Sequence, residues 1–332
     1  MKVLVTGANG FLGANIIREF NSRKIPTKAF MRESADKRSL ADLEYEVYYG
    51  NITRQDDVLE ASLDCDYIVH AAANTGPSPT KYKHYQAVNV EGTRNVIEAV
   101  KLSGVKRLVF ISTANTIGFG DQQKPGTEKS FFSSEFYNSG YATSKLLAEK
   151  MIQNEVIENQ LDAIILNPTF MIGPADAKPG SCTILFNILN RPIVVMPPGG
   201  KNFIHVKDVA IACCEALTKG RSGDRYLLAN KNISYSDFFK TVNYVTDENQ
   251  FLLTLPVWVL LFAGGLGSLL RLAGINSKLT LLNARLLCIK NYYSGKKAVK
   301  TFGLRLRPID TAIEEALEWF VKNEYLKSLN PV

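Results

Sequence analysis

The stretch VLVTGANGFLGANIIREF, residues 3–20, places a glycine-rich turn between a strand pattern and a helix pattern. Gly7, Gly10 and Gly13 are three residues apart, and an apolar helical stripe follows at Phe11, Leu12, Ile16, Ile17 and Phe20. Such a turn lets the backbone approach a pyrophosphate at the positively polarised N-terminus of a helix. Glycine spacing alone is weak evidence, but here the strand and the helix that the mechanism needs are both present. The stretch predicts a dinucleotide-binding strand–turn–helix unit.

The pattern of apolar strand, turn and helix then repeats along the first half of the chain. Further strands are predicted at PTKAFM (26–31), EYEVYYG (44–50), DYIVHAA (66–72) and KRLVFIST (106–113), with helices near 56–62 and 82–102. Strands that alternate with helices indicate an α/β fold with a Rossmann-type, doubly wound parallel sheet. We predict that the dinucleotide-binding domain spans residues 1–170.

Composition narrows the class of protein. The 332 residues are 46% hydrophobic and 21% charged, which is ordinary for a globular chain of one large or two modest domains. The five cysteines form no CxxC pair and the three histidines are scattered, so neither a disulfide framework nor a metal site is expected. The N-terminal MKVLVTGANG lacks a signal-peptide pattern, and a cytoplasmic location is expected.

The net charge of +7 is concentrated in one region. No acidic residue occurs between Glu248 and Asp310, whereas nine basic residues do, so the rest of the chain carries 7 − 9 = −2. A basicity confined to one C-terminal region argues against general nucleic-acid binding. We therefore expect a small-molecule substrate and a monomer or homodimer.

Residues 249–270, NQFLLTLPVWVLLFAGGLGSLL, carry no charge. The length approaches that of a transmembrane helix, but Pro256 and three glycines weaken this interpretation. Two alternatives remain open. The segment could lie on an anionic membrane as a peripheral contact, with the following cations meeting lipid headgroups. It could instead form a buried helix over the active site.

The stretch GYATSKLLAEKM, residues 140–151, places Tyr141 four residues ahead of Lys145 in a predicted helix. Residues four apart lie one above the other, so phenol and ammonium should point the same way. Leu146, Leu147 and Met151 would supply an apolar side, and Glu149 and Lys150 a polar one. A phenol has a pKa of about 10, and a nearby cation lowers it. Spacing alone leaves two interpretations open, a surface pair and a proton donor with its tuning group.

Several motifs in order decide between them. TGANGFLG (6–13), HAAANTG (70–76), VNVEGT (88–93), FISTANTIG (110–118), YATSK (141–145), LNPTFMIGP (166–174) and HVKDVA (205–210) resemble those of extended short-chain dehydrogenases/reductases. The resemblance covers essentially the whole chain. It implies a smaller, mostly helical substrate domain over 171–332, with 203–230 returning to the dinucleotide-binding domain. It is strongest to the branch that contains dihydroflavonol reductases and 3β-hydroxysteroid dehydrogenases, within the NAD(P)-dependent epimerase/dehydratase group.

The resemblance implies a catalytic set of Tyr141 as acid/base, Lys145 as its tuning cation and Thr113 as the hydroxyl that binds the substrate oxygen. Thr113 follows from aligning TIG (116–118) with a family triplet, and Ser112 is the alternative. A hydroxyl can donate to one group while it accepts from another. The expected substrate contacts are Thr75, Asn115, Phe170 and Trp258. Asn89 and the histidines His70, His84 and His205 are expected to be structural.

The prediction of the coenzyme site rests both on residue spacing and on the family resemblance. Arg32 ends the second strand about 20 residues past the glycine turn, where an arginine accommodates a 2′-phosphate and an acidic residue would bind a ribose hydroxyl. Glu33 is adjacent, so NADP(H) is favoured and NAD(H) stays possible. Asn51 stands where the family has an aspartate that touches adenine. The full predicted set is Gly7, Asn9, Gly10, Phe11, Leu12, Gly13, Arg32, Asn51, Ile52, Ala71, Ala72, Ala73, Lys145, Pro168, Thr169 and Met171.

The predicted activity is interconversion of a ketone and a secondary alcohol on a flat or lipid-like molecule. The alternative is a nucleotide-sugar epimerase with tightly bound NAD, in which the same tyrosine and lysine act. A 4,6-dehydratase would need a carboxylate pair after the catalytic threonine, and Ala114 and Asn115 stand there instead. A non-enzymatic NADP sensor would not need the tyrosine–lysine pair.

Overall fold

The structure is a computed structural model that describes residues 1–76, 81–133, 136, 139–189, 191–275, 277 and 279–326. A seven-stranded sheet forms its centre, in the order β10-β6-β5-β4-β1-β2-β3, and every neighbouring pair is parallel. Its strands are β1 (Val3–Thr6), β2 (Thr27–Met31), β3 (Glu46–Tyr49), β4 (Tyr67–His70), β5 (Arg107–Ile111), β6 (Ala163–Pro168) and β10 (Arg225–Leu228). The predicted Rossmann-type sheet is confirmed.

Helices cover both faces of this sheet. The helices are α1 (Phe11–Ser22), α2 (Gln55–Ser62), α3 (Tyr82–Tyr85), α4 (Gly92–Ser103), α5 (Gly140–Asn159), α6 (Thr183–Phe186), α7 (Val206–Ala216), α8 (Tyr235–Thr246), α9 (Val257–Leu272), α10 (Leu281–Cys288), α11 (Lys296–Phe302) and α12 (Ile309–Lys322). A π-helical turn, Gln86–Glu91, joins α3 to α4. None of the helices in the described part of the chain is long and apolar enough to span a bilayer.

The order of the strands places the candidate site. From β1 the chain proceeds outward through β2 and β3, and it then returns to the other side of β1 with β4. Ligands of open parallel sheets bind at such a reversal, outside the carboxyl ends of the strands. The strands are buried because separate apolar clusters cover the two faces, one including Val5 and Ile17 and the other including Leu4 and Val96. The glycine turn after β1 therefore lies at the expected binding edge.

The smaller region contains more sheet than the sequence predicted. Its strands are β7 (Phe170–Ile172), β8 (Ile193–Met196), β9 (Gly200–His205), β11 (Lys231–Ser234), β12 (Phe251–Thr254) and β13 (Lys290–Asn291). β9 pairs with β7, β11 and β13 in a four-stranded sheet, and β8 pairs with β12. Within 203–230, the strand that returns to the main sheet is β10 and not β9, while α7 packs on α1. Local patterning could not distinguish these partners, because strand pairing is a long-range choice.

Candidate active site

The glycine turn has backbone positions that only glycine can occupy. Gly7 has a φ of +68°, and a Cβ there would lie 2.7 Å from the backbone nitrogen and Cα of Ala72. A Cβ on Gly13 would lie 2.2 Å from the carbonyl oxygen of Gly7. The turn is therefore held against the end of β4, and the absence of side chains leaves its backbone open to a ligand. These contacts explain two of the three predicted glycines.

The N-terminus of α1 is arranged to meet an anion. Its N-cap residue is Gly10, which makes no side-chain cap bond, so the first N–H groups of the helix receive no side-chain acceptor there. Phe11 and Leu12 form the first turn, as predicted. Asn9 connects this turn to the loop after β2, because its amide donates to the carbonyl of Asp36 at 3.2 Å and its carbonyl accepts from Ser39 at 3.0 Å. Unfilled helix N-termini of this kind bind phosphate.

Arg32 is exposed and directly follows β2. The other cations of this loop are engaged. The guanidinium of Arg38 pairs with Asp36 at 2.7 Å and lies 5.0 Å from the ring centroid of Tyr325, and Lys37 donates to a tyrosine hydroxyl. Among the described residues the side chain of Arg32 makes no hydrogen bond or ion pair, and the neighbouring Glu33 is also exposed. Arg32 is thus the cation of this loop that is available to a ligand.

Some of the groups predicted to contact the adenine already have partners within the protein. The side-chain oxygen of Asn51 accepts from the backbone N–H of Thr53 at 3.1 Å, so the amide nitrogen is the group left for a ligand. Ile52 is 8% exposed and belongs to the core cluster beneath the sheet. Ala71, Ala72 and Ala73 are half-buried at the end of β4 and present little side-chain bulk.

Tyr141 and Thr113 meet across two elements. Tyr141 lies half-buried in the first turn of α5, whereas Thr113 directly follows β5 and is 9% exposed. Burial raises the pKa of Tyr141 to about 12, and a hydrogen bond with the side chain of Thr113 opposes that rise. The alternative residue, Ser112, lies instead toward Glu149, where burial raises the pKa of the carboxyl group and Ser112 opposes that rise. The geometry therefore favours Thr113 over Ser112 as the partner of the tyrosine.

Lys145 is buried, with 1% of its surface exposed, and its ammonium lies 3.9 Å from the ring centroid of Phe110. Within the part of the chain that the structure describes, its Nζ has no hydrogen-bond partner. Burial lowers the pKa of Lys145 to about 7, and the charge of Glu149 opposes this. Burial and the side chain of Thr113 are the causes that shift the pKa of Tyr141 here, so a lowering of that pKa by Lys145 stays a prediction. A lysine amine buried without a partner is suited to bind hydroxyl groups of a ligand.

Glu149 was predicted on the polar side of α5, and this was wrong, since it is 1% exposed while Leu147 is 41% exposed. Its carboxylate accepts from Thr116 at 2.7 Å and from Asn167 at 2.6 Å. The Asn167 amide also donates to the carbonyl of Thr113 at 3.1 Å. Glu149 therefore influences the charge of Lys145, one turn before it, and is connected to Thr113 through Asn167. The i,i+4 spacing from Lys145 was the available sequence signal.

At the end of β6 and just after it, the predicted coenzyme contacts have few side-chain groups free for a ligand. Pro168 is buried and Met171 is half-buried. The hydroxyl of Thr169 donates to Asn202 at 2.8 Å, so it takes part in a buried polar network. Phe170 lies beside Lys201, whose ammonium is 4.8 Å from the ring centroid.

Lys201 was missed by the sequence reasoning. Burial lowers its pKa to about 8, and no anionic partner occurs for it among the described residues. Its position on β9, next to the recognised HVKDVA motif, was the signal that could have found it. It presents a cation beside the predicted substrate contact on β7.

The other predicted substrate contacts differ in position. Asn115 is half-buried, and its backbone N–H donates to the Thr113 hydroxyl oxygen at 3.3 Å. Thr75 is exposed after β4. Trp258 is 72% exposed on α9, and its role as a substrate contact stays a prediction.

Asn89 and His70 have structural positions, as predicted. The Asn89 amide donates to the carbonyl of Asn74 at 3.1 Å and to Ser144 at 2.9 Å. His70 is fully buried between Thr6 at 2.7 Å and Thr93 at 3.1 Å, and burial lowers its pKa to about 3. These bonds connect the ends of β1 and β4 to the helices around the site. His70 is therefore neutral near pH 7.

A dinucleotide fits this arrangement. The tight glycine turn, the uncapped start of α1 and the unpartnered Lys145 lie in the places where a pyrophosphate and a ribose need partners. When bound, a nicotinamide coenzyme supplies or accepts the hydride. The chain supplies a phenol bonded to a hydroxyl at the carboxyl edge of the sheet. These features define the extended short-chain dehydrogenase/reductase class.

Comparisons with known proteins agree. A family model described as the NAD dependent epimerase/dehydratase family matches residues 3–229. A putative dihydroflavonol 4-reductase of Synechocystis is 29% identical, over 98% of this chain and 96% of that protein. Sterol demethylase protein B of Methylococcus capsulatus is 28% identical, over 77% and 78%. The crystal structure of gox2253 superposes with a TM-score of 0.85 at 28% identity, covering 98% of this chain and 99% of that one. The chain belongs to the NAD dependent epimerase/dehydratase family.

Proposed function

We propose that this protein is an NADP-preferring oxidoreductase that interconverts a ketone and a secondary alcohol on a flat or lipid-like substrate. The observation that carries the proposal is the hydrogen bond between Tyr141 and Thr113, next to a buried lysine without a partner. The similarity to a putative dihydroflavonol 4-reductase over nearly the whole length supports the reaction type. The free Arg32 supports the choice of coenzyme.

Each of the catalytic residues has a separate role in ketone reduction. The Tyr141 phenol gives its proton to the carbonyl oxygen of the substrate, which becomes the alcohol oxygen. The Thr113 hydroxyl orients that oxygen and bonds the phenol. A protonated Lys145 stabilises the phenolate that Tyr141 becomes. Glu149, behind Lys145, favours the protonated lysine.

The buried lysine makes the reaction sensitive to pH. Because the pKa of Lys145 is about 7, kcat/KM for ketone reduction is expected to fall as pH rises through neutrality and Lys145 loses its proton. Glu149→Gln removes the charge that raises the pKa of Lys145. The alkaline limb of the profile should therefore move to lower pH. Steady-state rates of both proteins, measured across pH 5–10 in steps of roughly one pH unit, give the two profiles.

Glu155→Gln is the matched control, because Glu155 lies on the same helix but pairs with Lys101 at 2.8 Å on the surface. Its profile should superpose on that of the wild type. A Glu149→Gln profile that keeps its alkaline limb in place would show that Glu149 does not act through the charge of Lys145.

The second candidate is a nucleotide-sugar epimerase. Lys201 is the observation that favours it, since an unpartnered cation beside Phe170 could bind an anionic substituent such as a diphosphate. An epimerase reoxidises its own reduced coenzyme and need not release it, whereas a reductase must exchange NADPH in every turnover.

The two functions predict different amounts of coenzyme bound to the purified protein. A reductase should lose its coenzyme during purification. The absorbance of the purified protein at the wavelengths where nucleotides absorb, and mass analysis of the denatured protein, should then show less than one coenzyme per chain. Added NADPH should then be consumed with a ketone. Stoichiometric NAD that survives purification and dialysis would contradict the reductase assignment and support epimerisation.

A further inference from the structure

One face of α9 is already packed. Leu260, Gly264 and Gly267 are buried and lie toward α10. The contact is close, because a Cβ on Gly264 would lie 2.5 Å from that of Ala284 and one on Gly267 would lie 1.8 Å from the carbonyl oxygen of Leu279. Glycines thus let α9 and α10 approach as a tight helical hairpin.

The opposite face of α9 is apolar and exposed. Trp258, Phe262, Leu266 and Leu269 are spaced four, four and three residues apart, so they share one side of the helix. Their exposed fractions are 72%, 67%, 48% and 62%. A helix on the surface of a globular protein normally turns polar residues to the solvent, whereas here both sides are apolar. Val257, Leu270 and Leu272 are also exposed and extend this surface, which we name the outer face of α9.

The exposed apolar residues continue into the strands before α9. In the β8–β12 pair, Ile193 lies opposite Phe251 and Val195 lies opposite Leu253. All four side chains are exposed, at 55%, 64%, 53% and 45%. Only Leu255 and Pro256 separate β12 from α9. Apolar residues scattered singly on a surface need no explanation, but many exposed apolar side chains on elements that follow one another in the chain are typical of a contact site.

The charges on the segment that contains α9 and α10 have one sign. Arg271 lies in the last turn of α9, Arg285 is exposed on α10 and Lys290 is exposed at the start of β13. No ion pair of these three cations occurs among the described residues, and no acidic residue is present in 249–309. The hairpin therefore combines an apolar face with cations that lack counter-charges.

We propose that the outer face of α9 docks on the surface of an anionic lipid bilayer. Its apolar side chains enter the interface between headgroups and acyl chains, while Arg271 and Arg285 meet lipid phosphates or carboxylates. A symmetric dimer through the same face would bring these cations against their own copies, with no acidic residue of 249–309 to pair with them. Charge complementarity thus selects the bilayer over a second copy. The docking rests on α9 and is independent of the reaction proposed above.

Vesicle co-sedimentation with the full chain tests the docking. Phosphatidylcholine vesicles that contain phosphatidylserine should bind the protein at low salt, and vesicles of phosphatidylcholine alone should bind it more weakly. Binding should decline between roughly 0.05 and 0.5 M salt, because the Debye length shortens. The fluorescence of Trp258 should shift to shorter wavelength on binding. Protein that stays in the supernatant with anionic vesicles at low salt overturns the proposal.

Two kinds of variant separate the apolar and the charged contributions. The double variant Phe262→Asn/Leu269→Asn should lower the partition coefficient at least ~10-fold on both vesicle types. The double variant Arg271→Gln/Arg285→Gln should lower it about fivefold per charge on anionic vesicles alone.

The matched control is Leu102→Asn/Ile157→Asn, which removes two apolar residues that are 62% and 79% exposed on other helices. It should bind vesicles like the wild type. Unchanged coenzyme binding in every variant shows that the fold is retained. If the α9 variant sediments like the wild type, the outer face does not dock. If it instead converts a dimer to a monomer by light scattering without a change in vesicle binding, the face is an interface between copies and the proposal is wrong.

Discussion

Replacing Tyr141 by phenylalanine is expected to lower turnover by about 10²- to 10⁴-fold, the usual scale of lost acid–base catalysis. The substitution removes only the hydroxyl that bonds Thr113 and donates the proton, so the fold and the glycine turn should be unaffected. NADPH affinity should therefore stay within a few-fold of the wild type. Steady-state turnover and fluorescence titration with NADPH measure the two quantities separately.

Tyr48→Phe is the matched control, because Tyr48 lies on the edge strand β3 and its phenol donates to Glu60 at 2.7 Å. It should retain turnover. Thr113→Val, which also removes the partner of the phenol, should lower turnover without a comparable loss of coenzyme affinity. Full turnover in Tyr141→Phe would show that another group supplies the proton, and the assignment of the site would fail.

Replacing Arg32 by alanine is expected to weaken NADP(H) binding by roughly 10- to 150-fold and to leave NAD(H) binding nearly unchanged. A charge-assisted bond to a 2′-phosphate contributes about 1.5–3 kcal/mol, and NAD lacks that group. Arg32 is suited to this because it is exposed at the end of β2 and has no partner among the described residues. Dissociation constants of both coenzymes for both proteins give the result.

Arg38→Ala is the control from the same loop. Arg38 already pairs with Asp36 and lies over the ring of Tyr325, so its removal should change NADP(H) binding much less. Equal weakening of NAD(H) and NADP(H) in Arg32→Ala would show that Arg32 does not discriminate the 2′-phosphate. A large loss in Arg38→Ala alone would transfer that role to Arg38.

The local parts of the fold were predictable. The first five predicted strands occur within a few residues of their expected positions, because a buried parallel strand is a short apolar run bounded by turns. The glycine turn was equally local, since its conformation depends on Gly7 and its neighbours. The pairing of β9 with β7, β11 and β13 was not predictable, because these partners lie far apart in the chain.

The candidate site was predicted in part, for the same reason. Tyr141 and Lys145 were found because an i,i+4 pair is defined by the helix alone. Thr113 needed the motif order, and only the structure joins it to Tyr141 across two elements. Lys201 is distant in sequence from the other site residues, and the burial of Glu149 depends on the strands packed against α5. Periodicity could not reveal either residue.

The sequence by itself determined the strand–turn–helix unit, the family motifs and the excess of cations in residues 249–309. Tertiary structure decided which of those cations form ion pairs. Lys297 pairs with Asp224 at 3.1 Å and Arg307 pairs with Asp208, both outside the acid-free segment, and Lys278 lies outside the described residues. Arg271, in the last turn of α9, and Arg285, on α10, make no ion pair among the described residues. The physical reason is that charge and hydrophobicity are properties of residues, whereas burial and pairing depend on which distant elements pack together.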